Sequence, residues 1–312
     1  MPQHKIKAYP YTFFHGKIVP VGKAQISIQT NALQYGTGIF SGIRGYYNQK
    51  KKYISLFRID DHFRRFLNSL KIVGVGLAYS RQELIDITVK LMKKNAPKTD
   101  TYVRPFAYAG SLNLSPNLQS DSVFDFAEYM IPLGDYLPTD KGIRVCVSSW
   151  RRVADNAIPS RAKISGAYMN SAIAKKEANQ NGYEEAIFLN EEGHVAEGSA
   201  MNLCIVRDGV LITPPKSDDI LEGVTRRSIM QLAQDQGIPV IEQTIDRSEL
   251  YIADELFFCG TGAQISWIQE VDGRAIGTGK RGPVTQKLQK LYFNTVRGNE
   301  EKYAGWCTKI EV

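Results

Sequence analysis

Two Asp-Gly pairs constrain the fold of this chain more than any other local feature. Asp208-Gly209 lies between two apolar runs, and Asp272-Gly273 occupies a similar position nearer the carboxyl end. Such pairs are typical of two-residue β-hairpin turns, because the favoured turn needs positive φ at both central residues. We therefore expect antiparallel strand pairs in the second half of the chain.

The hydrophobic periodicity adds helices in no regular alternation with these strands. Residues 58–74 carry apolar side chains at helical spacing, and Ser80 with Glu83 forms a capping box before a second helix. Other predicted helices cover residues 167–182, 225–236, the region of Ser248 and residues 283–297. The predicted strands cover residues 101–109, 123–133, 143–149, 185–189, 201–206 and 255–259. The pattern predicts an α+β fold with largely antiparallel sheets.

One segment interrupts every periodicity. Residues 134–142 combine glycine, proline and charged side chains, which is typical of a connecting loop. A chain of 312 residues also exceeds the usual size of a single domain. We therefore predict a smaller N-terminal α/β domain over residues 1–133, a linker over residues 134–142 and a larger C-terminal domain over residues 143–312.

Composition and charge favour a cytoplasmic protein that binds small molecules. Hydrophobic residues make up 43% and charged residues 23% of the chain, which is ordinary for a soluble protein. No run is long enough to span a bilayer, and the first residues lack the apolar core of a signal peptide. The net charge of +7 is scattered, with its densest cluster at Lys50–Lys52. A solvated surface is therefore favoured over a nucleic-acid site.

The cysteines and histidines predict neither a metal site nor a disulfide framework. The four histidines form no metal-spaced pair, and the cysteines contain no Cys-x-x-Cys. The cysteines are Cys146, Cys204, Cys259 and Cys307.

The segment Gly277–Gly282 matches the Gly-x-Gly-x-x-Gly spacing of dinucleotide sites. That fingerprint belongs between a buried strand and a helix, whereas the residues before Gly277 are typical of the far arm of a hairpin. A loop is the favoured interpretation. A nicotinamide oxidoreductase that uses this segment, or a non-catalytic protein that binds through its basic surface, stays open as an alternative.

Three segments together suggest a pyridoxal phosphate site. Arg161–Tyr168 contains a lysine, Ala196–Leu203 contains an acid, and Leu221–Arg227 contains a glycine before a predicted helix. The cofactor needs a lysine amine for a Schiff base, an acid against its pyridine nitrogen and backbone N–H groups around its phosphate. The three segments can supply all of these groups.

With three further segments, Ala32–Phe40, Thr101–Pro105 and Phe258–Gly262, the chain resembles the fold type IV pyridoxal phosphate enzymes. Within them it resembles the branched-chain amino acid aminotransferases over nearly its whole length. The resemblance implies two mixed α/β domains, with the cofactor at the domain interface and the C-terminal domain as the larger cofactor-binding part.

The resemblance implies a role for each cofactor-binding residue. Lys163 is expected to form the Schiff base and to carry the proton between the substrate α-carbon and the cofactor. Glu197 is expected to face the pyridine nitrogen, and Tyr168 to hydrogen-bond the phenolic oxygen of the cofactor. Phosphate ligands are expected at Arg58, Gly223, Val224, Thr225 and Thr261. Taken singly, each residue also suits an ordinary role. Lys163 could be a surface lysine, Glu197 a solvent-facing strand glutamate and Tyr168 a core tyrosine. Arg58 could be an ion-pair partner and Thr225 a helix cap.

The substrate pocket is expected to combine an apolar wall with a cation. The resemblance places around the substrate Tyr35, Phe40, Tyr102, Arg104, Tyr136, Thr261 and Gly262. Branched side chains suit aromatic walls, while Arg104 and tyrosine hydroxyls suit the second carboxylate of glutamate. Ser41 and Leu133 stand where several relatives carry glutamate and tryptophan, so a softer or wider pocket wall is expected.

The implied function is a transaminase that moves the amino group of L-leucine, L-isoleucine or L-valine to 2-oxoglutarate reversibly, through the Lys163 Schiff base and a pyridoxamine form. A D-amino acid or (R)-amine transaminase, or an aminodeoxychorismate lyase, stays open within the same fold. The loop at residues 110–116 corresponds to one that reaches a neighbouring subunit. We therefore expect at least a homodimer, in which Leu112 or Leu114 lines the partner's site.

Overall fold

The computed structural model describes residues 7–118 and 122–312. The chain divides into two compact units. The first comprises the described residues of Met1–Gly134 together with Ala162–Gly166 and Asn294–Val312. The second comprises Asp135–Arg161 and Ala167–Phe293.

The first unit contains a mainly antiparallel sheet with two long helices. Its strands are β1 (Tyr11–Phe14), β2 (Lys17–Pro20), β3 (Gly38–Phe40), β4 (Ile43–Asn48), β5 (Tyr53–Phe57), β6 (Gly76–Leu77), β7 (Thr101–Tyr108), β8 (Val123–Pro132) and β18 (Cys307–Glu311). The order across the sheet is β18-β5-β4-β7-β8-β1-β2, with β3 on β7 and β6 on β8. Its α-helices are α1 (Asn31–Tyr35), α2 (Ile59–Ile72) and α3 (Arg81–Asn95). Short 3₁₀ segments cover Val21–Lys23 and Glu301–Trp306.

The second unit contains a mixed sheet. Its strands are β9 (Ile143–Val147), β10 (Glu185–Leu189), β11 (Val195–Gly198), β12 (Asn202–Arg207), β13 (Val210–Thr213), β14 (Val240–Glu242), β15 (Glu255–Gly260), β16 (Gln264–Val271) and β17 (Arg274–Ala275). The order is β11-β10-β9-β16-β15-β12-β13-β14, with β17 on β16. Parallel pairs join β9 to β10, β9 to β16 and β13 to β14. The helices are α4 (Tyr168–Gln180), α5 (Val224–Asp235) and α6 (Pro283–Val296), which begins in this unit.

The local signals for turns and caps are present where the sequence predicts them. Asp208 and Gly209 have φ of 50° and 75°, and Asp272 and Gly273 have φ of 50° and 76°. The hairpins β12–β13 and β16–β17 close at these pairs. Ser80 and Glu83 form the reciprocal capping box at the start of α3. The predicted α+β class with largely antiparallel sheets is confirmed.

Strand pairing between distant segments decides which parts of the chain belong to each unit. Strand β18 pairs antiparallel with β5, with Ile310 opposite Ile54. Residues 162–166 join the first unit because Ile164 forms a β-bridge with Ile39. The sequence-based division grouped both segments with the C-terminal domain, since pairing across more than 100 residues leaves no local signal.

Short elements also differ from the sequence-based expectation. The helix near Ser248 is a 3₁₀ segment over Arg247–Ile252, and the five-residue α1 was not predicted because it is too short for a periodic pattern. Within the described ranges, none of the helices combines the length and the hydropathy required to span a bilayer.

Candidate active site

Lys163 is held by backbone bonds against β3 in the first unit. The Phe40 N–H donates to the Lys163 carbonyl at 3.0 Å, and the Ser165 N–H donates to the Gly38 carbonyl at 2.8 Å. The Lys163 N–H donates to Ser69 Oγ at 3.2 Å. These bonds fix the backbone on both sides of the lysine, so its amine moves only through side-chain torsions.

A close backbone approach lets this segment lie against the end of α1. A Cβ added to Gly36 would lie 2.7 Å from Gly166 Cα, and Gly36 has φ of 69°. Both the space and the left-handed conformation therefore require glycine at position 36. The glycines of the Ala32–Phe40 segment thus help to position Lys163.

Four of the predicted residues of the first unit come together around one aromatic ring. Lys163 Nζ lies 4.8 Å from the centre of the Phe40 ring, and Arg104 Cζ lies 4.4 Å from the same centre. Arg104 Nη2 donates to Tyr102 Oη at 3.0 Å. Tyr102 and Arg104 share one face of β7, because they are two residues apart on the strand. The arrangement places an amine, a guanidinium and a phenol beside an apolar wall.

Arg58 and Tyr35 lie elsewhere in the first unit. Arg58 immediately precedes α2 with φ of 49°, a conformation that costs a residue with a side chain roughly 1–3 kcal/mol. Its Nε lies 2.5 Å from Asp61 Oδ2, and its Cζ lies 4.6 Å from the Trp306 ring centre. Tyr35 ends α1 and is 39% exposed. Arg58 is thus oriented by an acid and an aromatic ring.

Glu197 is the most strongly coordinated carboxyl of the predicted set. It lies on β11 with 5% of its surface exposed. Arg152 Nη2 lies 3.0 Å from its Oε1, while Asn202 Nδ2 and the Leu221 N–H donate to its Oε2 at 2.9 and 3.2 Å. These three partners are donors, and the guanidinium among them favours the ionised carboxylate. The Cys204 thiol, burial and the charge of Glu197 raise the pKa of the nearby Cys259 thiol, which therefore stays neutral.

The start of α5 forms a cradle of backbone N–H groups. Gly223 precedes the helix and provides no side-chain cap, and Val224 and Thr225 are its first two residues. A Cβ added to Gly223 would lie 1.9 Å from Asn202 Oδ1, so only glycine fits. Thr225 is 2% exposed. A helix start of this kind favours an anion.

The remaining predicted residues of the second unit lie in a loop, in a turn and at the start of a helix. Tyr136 packs beside Gly262, where an added Cβ would lie 3.6 Å from the tyrosine Cγ. Thr261 and Gly262 belong to the turn between β15 and β16. Tyr168 is the first residue of α4.

Two residues around Glu197 were missed by the sequence interpretation. Asn202 lies five positions after Glu197, inside a motif segment, and donates to both Glu197 and the Leu221 carbonyl. Its position inside that motif could have identified it as a site residue from the sequence. Arg152 lies 45 positions before Glu197 and belongs to no motif, so local sequence gave no reason to select it.

The glycine-rich segment Gly277–Gly282 has a different environment. It follows the two-residue strand β17 of a hairpin. The first turn of α6 is already occupied, because the Val284 and Thr285 N–H groups donate to Glu255 at 2.9 and 2.7 Å. A carboxylate therefore stands where a pyrophosphate would bind. Among residues 7–118 and 122–312, no three histidine, cysteine or acidic side chains are grouped to hold a metal ion.

The predicted intersubunit loop is exposed and anchored at its base. Leu112 is 54% and Leu114 is 82% exposed. The Asn31 N–H donates to the Ser111 carbonyl at 2.8 Å, and Asn31 Nδ2 donates to the Ser115 carbonyl at 2.5 Å. A buried asparagine therefore holds two apolar side chains at the surface.

Known proteins match the fold and the chain along nearly their whole lengths. The class IV aminotransferase family matches residues 38–271, and the chain belongs to this family. A probable branched-chain-amino-acid aminotransferase of Aquifex aeolicus (strain VF5) is 46% identical over 301 residues, which is 96% of each chain.

Two solved structures are similar to the whole chain. A branched-chain aminotransferase of Thermoproteus uzoniensis with norvaline has a TM-score of 0.92 at 42% identity, and covers 97% of this chain and 99% of its own. A branched-chain amino acid aminotransferase of T.th., complexed with N-(5'-phosphopyridoxyl)-L-glutamate, has a TM-score of 0.92 at 38% identity, with the same coverage. The predicted resemblance, enzyme class and fold type IV architecture are confirmed.

Proposed function

We propose that this chain transfers the amino group of L-leucine, L-isoleucine or L-valine to 2-oxoglutarate, reversibly, with Lys163 as the residue that binds the cofactor covalently. The observation that carries the proposal is the buried Glu197, which three donors hold as an anion. A buried carboxylate is costly unless something uses its charge, and a pyridinium nitrogen is the partner that this family's chemistry requires.

The predicted cofactor, pyridoxal phosphate, is confirmed by the family and by a relative that carries a phosphopyridoxyl group. The residues present fit this group. The uncapped start of α5 suits its phosphate, and the buried carboxylate suits its ring nitrogen. When bound, the cofactor supplies an aldehyde that captures amines and a ring that stabilises negative charge at the substrate α-carbon.

Each cofactor-binding residue has a proposed task. The Lys163 amine would join the cofactor aldehyde covalently, with loss of water, and once displaced by substrate it would carry a proton to or from the substrate α-carbon. Tyr168 forms a hydrogen bond with the phenolic oxygen of the cofactor, and Glu197 keeps the pyridine nitrogen protonated. The phosphate is held by Arg58, Gly223, Val224, Thr225 and Thr261. Arg58 is supported by its strained backbone and by Asp61, which fixes its guanidinium.

The substrate residues are proposed to recognise two chemically different side chains at one place. Phe40 provides an apolar wall for a branched chain, while Arg104 and Tyr102 provide a cation and a hydroxyl for the second carboxylate of glutamate. Tyr35, Tyr136, Thr261 and Gly262 complete the proposed set. One relative's structure holds norvaline and another holds a glutamate derivative, which agrees with such dual recognition.

We further propose that the protein acts as at least a homodimer. Leu112 and Leu114 support this proposal, because an anchored loop that exposes two leucines is typical of a protein contact. The cytoplasmic location expected from the sequence stays a prediction.

The decisive test joins chemical trapping with a panel of amino donors. Borohydride treatment of the holoenzyme followed by peptide mass mapping should place the cofactor on Lys163. Branched L-amino acids should act as donors to 2-oxoglutarate, while D-amino acids and (R)-amines should not. Activity with D-amino acids alone, or a label on another lysine, would overturn the assignment.

Replacement of the lysine should lower turnover strongly without unfolding the chain. Lys163→Ala is expected to lower turnover by about 10²- to 10⁴-fold from the lost proton transfer alone. Lys176→Ala on the exposed face of α4 is the matched control and should keep wild-type activity. Steady-state assays and circular dichroism on both variants check the prediction.

A further inference from the structure

Arg152 lies in a loop that is fixed at several points within the second unit. Its backbone N–H donates to the Leu189 carbonyl at 2.8 Å, and its Nε donates to the Asp219 carbonyl at 3.2 Å. Asn170 bonds the residues on both sides, accepting from the Val153 N–H at 3.2 Å and donating to the Arg151 carbonyl at 3.0 Å. The arginine is 9% exposed. Its guanidinium therefore has little freedom to leave its place.

This guanidinium meets one oxygen of Glu197 and leaves the other oxygen to neutral donors. Arg152 Nη2 lies 3.0 Å from Oε1, whereas Asn202 and the Leu221 N–H bond Oε2. The other buried arginine of this region, Arg226, has its own acid, because its Nη2 lies 2.7 Å from Glu242 Oε2. The neighbouring Cys204 thiol and burial raise the pKa of Cys259, so this thiol brings no positive charge to Glu197. Arg152 is thus the cation that the geometry assigns to Glu197.

The position of a proton depends on that cation. A carboxylate and a pyridinium in a buried site can become neutral together if the proton passes to the carboxylate, and desolvation favours this transfer. A fixed positive charge on the carboxylate opposes the transfer, because it stabilises the anion. An opposite charge at this distance changes the proton affinity of a carboxylate by about 1–3 pKa units, or about 10- to 1000-fold.

We propose that Arg152 is a positioning residue that keeps Glu197 ionised and thereby keeps the proton on the ring nitrogen of the cofactor. The inference rests on the proposed function, since it needs a pyridine nitrogen opposite Glu197. Arg152 acts only through Glu197. A purely structural arginine would stabilise the loop and leave the proton where it is.

The test follows the proton directly. Holoenzyme is prepared with pyridoxal phosphate carrying ¹⁵N in the ring, and the ¹⁵N resonance reports whether that nitrogen is protonated. The wild type and Arg152→Lys, which keeps the charge, should give the ¹⁵N resonance of a protonated nitrogen. Arg152→Gln replaces the charged group with a neutral polar one, and Arg152→Met replaces it with an apolar one. In both variants the ¹⁵N resonance should shift toward that of an unprotonated nitrogen. Their kcat should fall by about tenfold or more, with a smaller change in KM.

The control is Arg207→Met, which removes a half-exposed arginine of the same unit that pairs with Glu249. It should keep both the wild-type resonance and the wild-type kcat. A wild-type resonance in the folded Gln or Met variant would overturn the inference. Failure of the wild type itself to bind the labelled cofactor would instead overturn the proposed function, so the two failures are distinct.

Discussion

Glu128 of the first unit and Glu197 of the second are both buried, and they are held in opposite ways. Glu128 on β8 is 0% exposed, and its Oε2 lies 2.8 Å from Thr88 Oγ1. Glu197 on β11 is 5% exposed and accepts from three donors, one of them a guanidinium. Burial is nearly equal, and the partners differ. The comparison shows what separates a carboxyl kept neutral from one kept charged.

Glu128 is a protonated acid because its burial outweighs its one hydroxyl partner. Thr88 Oγ1 also lies 3.0 Å from the Leu84 carbonyl, and a hydroxyl has only one hydrogen to give. That hydrogen is therefore shared between the Leu84 carbonyl and Glu128 Oε2, so Thr88 stabilises the charged carboxylate only weakly. Burial raises the pKa of Glu128 to about 8, against a smaller lowering by Thr88. At neutral pH this carboxyl is therefore uncharged.

The difference teaches that burial alone does not identify a functional acid. A neutral buried carboxyl costs about as much as any hydrogen-bonded polar group, whereas a charged one needs donors built around it. The chain provides those donors only for Glu197 in this pair. A buried acid with a matched set of donors is the stronger candidate for chemistry.

The largest expected effect comes from removing the charge of the second glutamate. Glu197→Gln should slow the half-reaction with L-leucine by roughly 100- to 1000-fold, because the ring loses its fixed anion. Stopped-flow absorbance, expressed per bound cofactor, measures the rate. The isosteric change Glu128→Gln is the control and should leave the rate at pH 7 near that of the wild type. Equal losses in the two variants would break the comparison.

A smaller effect is expected on stability against pH. The folded-state pKa of Glu128 is raised, so its contribution is full below the unfolded value near 4.5 and is lost as pH rises toward about 8. Between pH 6 and pH 9 the wild type should lose about 2–3 kcal/mol of unfolding free energy that Glu128→Gln keeps. Denaturant midpoints across this range measure the difference. Parallel curves for the two proteins would show that Glu128 does not titrate in the window.

The predictable parts of the molecule are those with local causes. The turns at Asp208-Gly209 and Asp272-Gly273 follow from the positive φ that such residues tolerate, and the capping box at Ser80 follows from side chains three positions apart. The segments that contain Lys163 and Glu197 could be selected because the residue types of a whole motif stand in order.

The rest depends on contacts that no local pattern encodes. Arg152 meets Glu197 from 45 positions away, and Thr88 meets Glu128 from 40 positions away. The alternation along β8 gives position 128 to the buried face, where an apolar side chain would be expected. Its protonation follows from how deeply the fold buries it, and the charge of Glu197 follows from donors that the fold brings to it.

The smallest expected effect comes from removing the Thr88 hydroxyl beside Glu128. Thr88→Val removes the hydroxyl and should cost about 1–2 kcal/mol, since one partner of a buried bond is lost. Because Thr88 lowers the pKa of Glu128, its removal should also extend the stability loss to higher pH. Thr12→Val is the matched control, because Thr12 Oγ1 donates to the Glu128 backbone carbonyl at 2.7 Å and not to its side chain. That variant should show a similar cost in denaturant unfolding, with a stability loss that ends at the same pH as in the wild type. An end point shifted in both variants would mean that the hydroxyl contact does not control the titration.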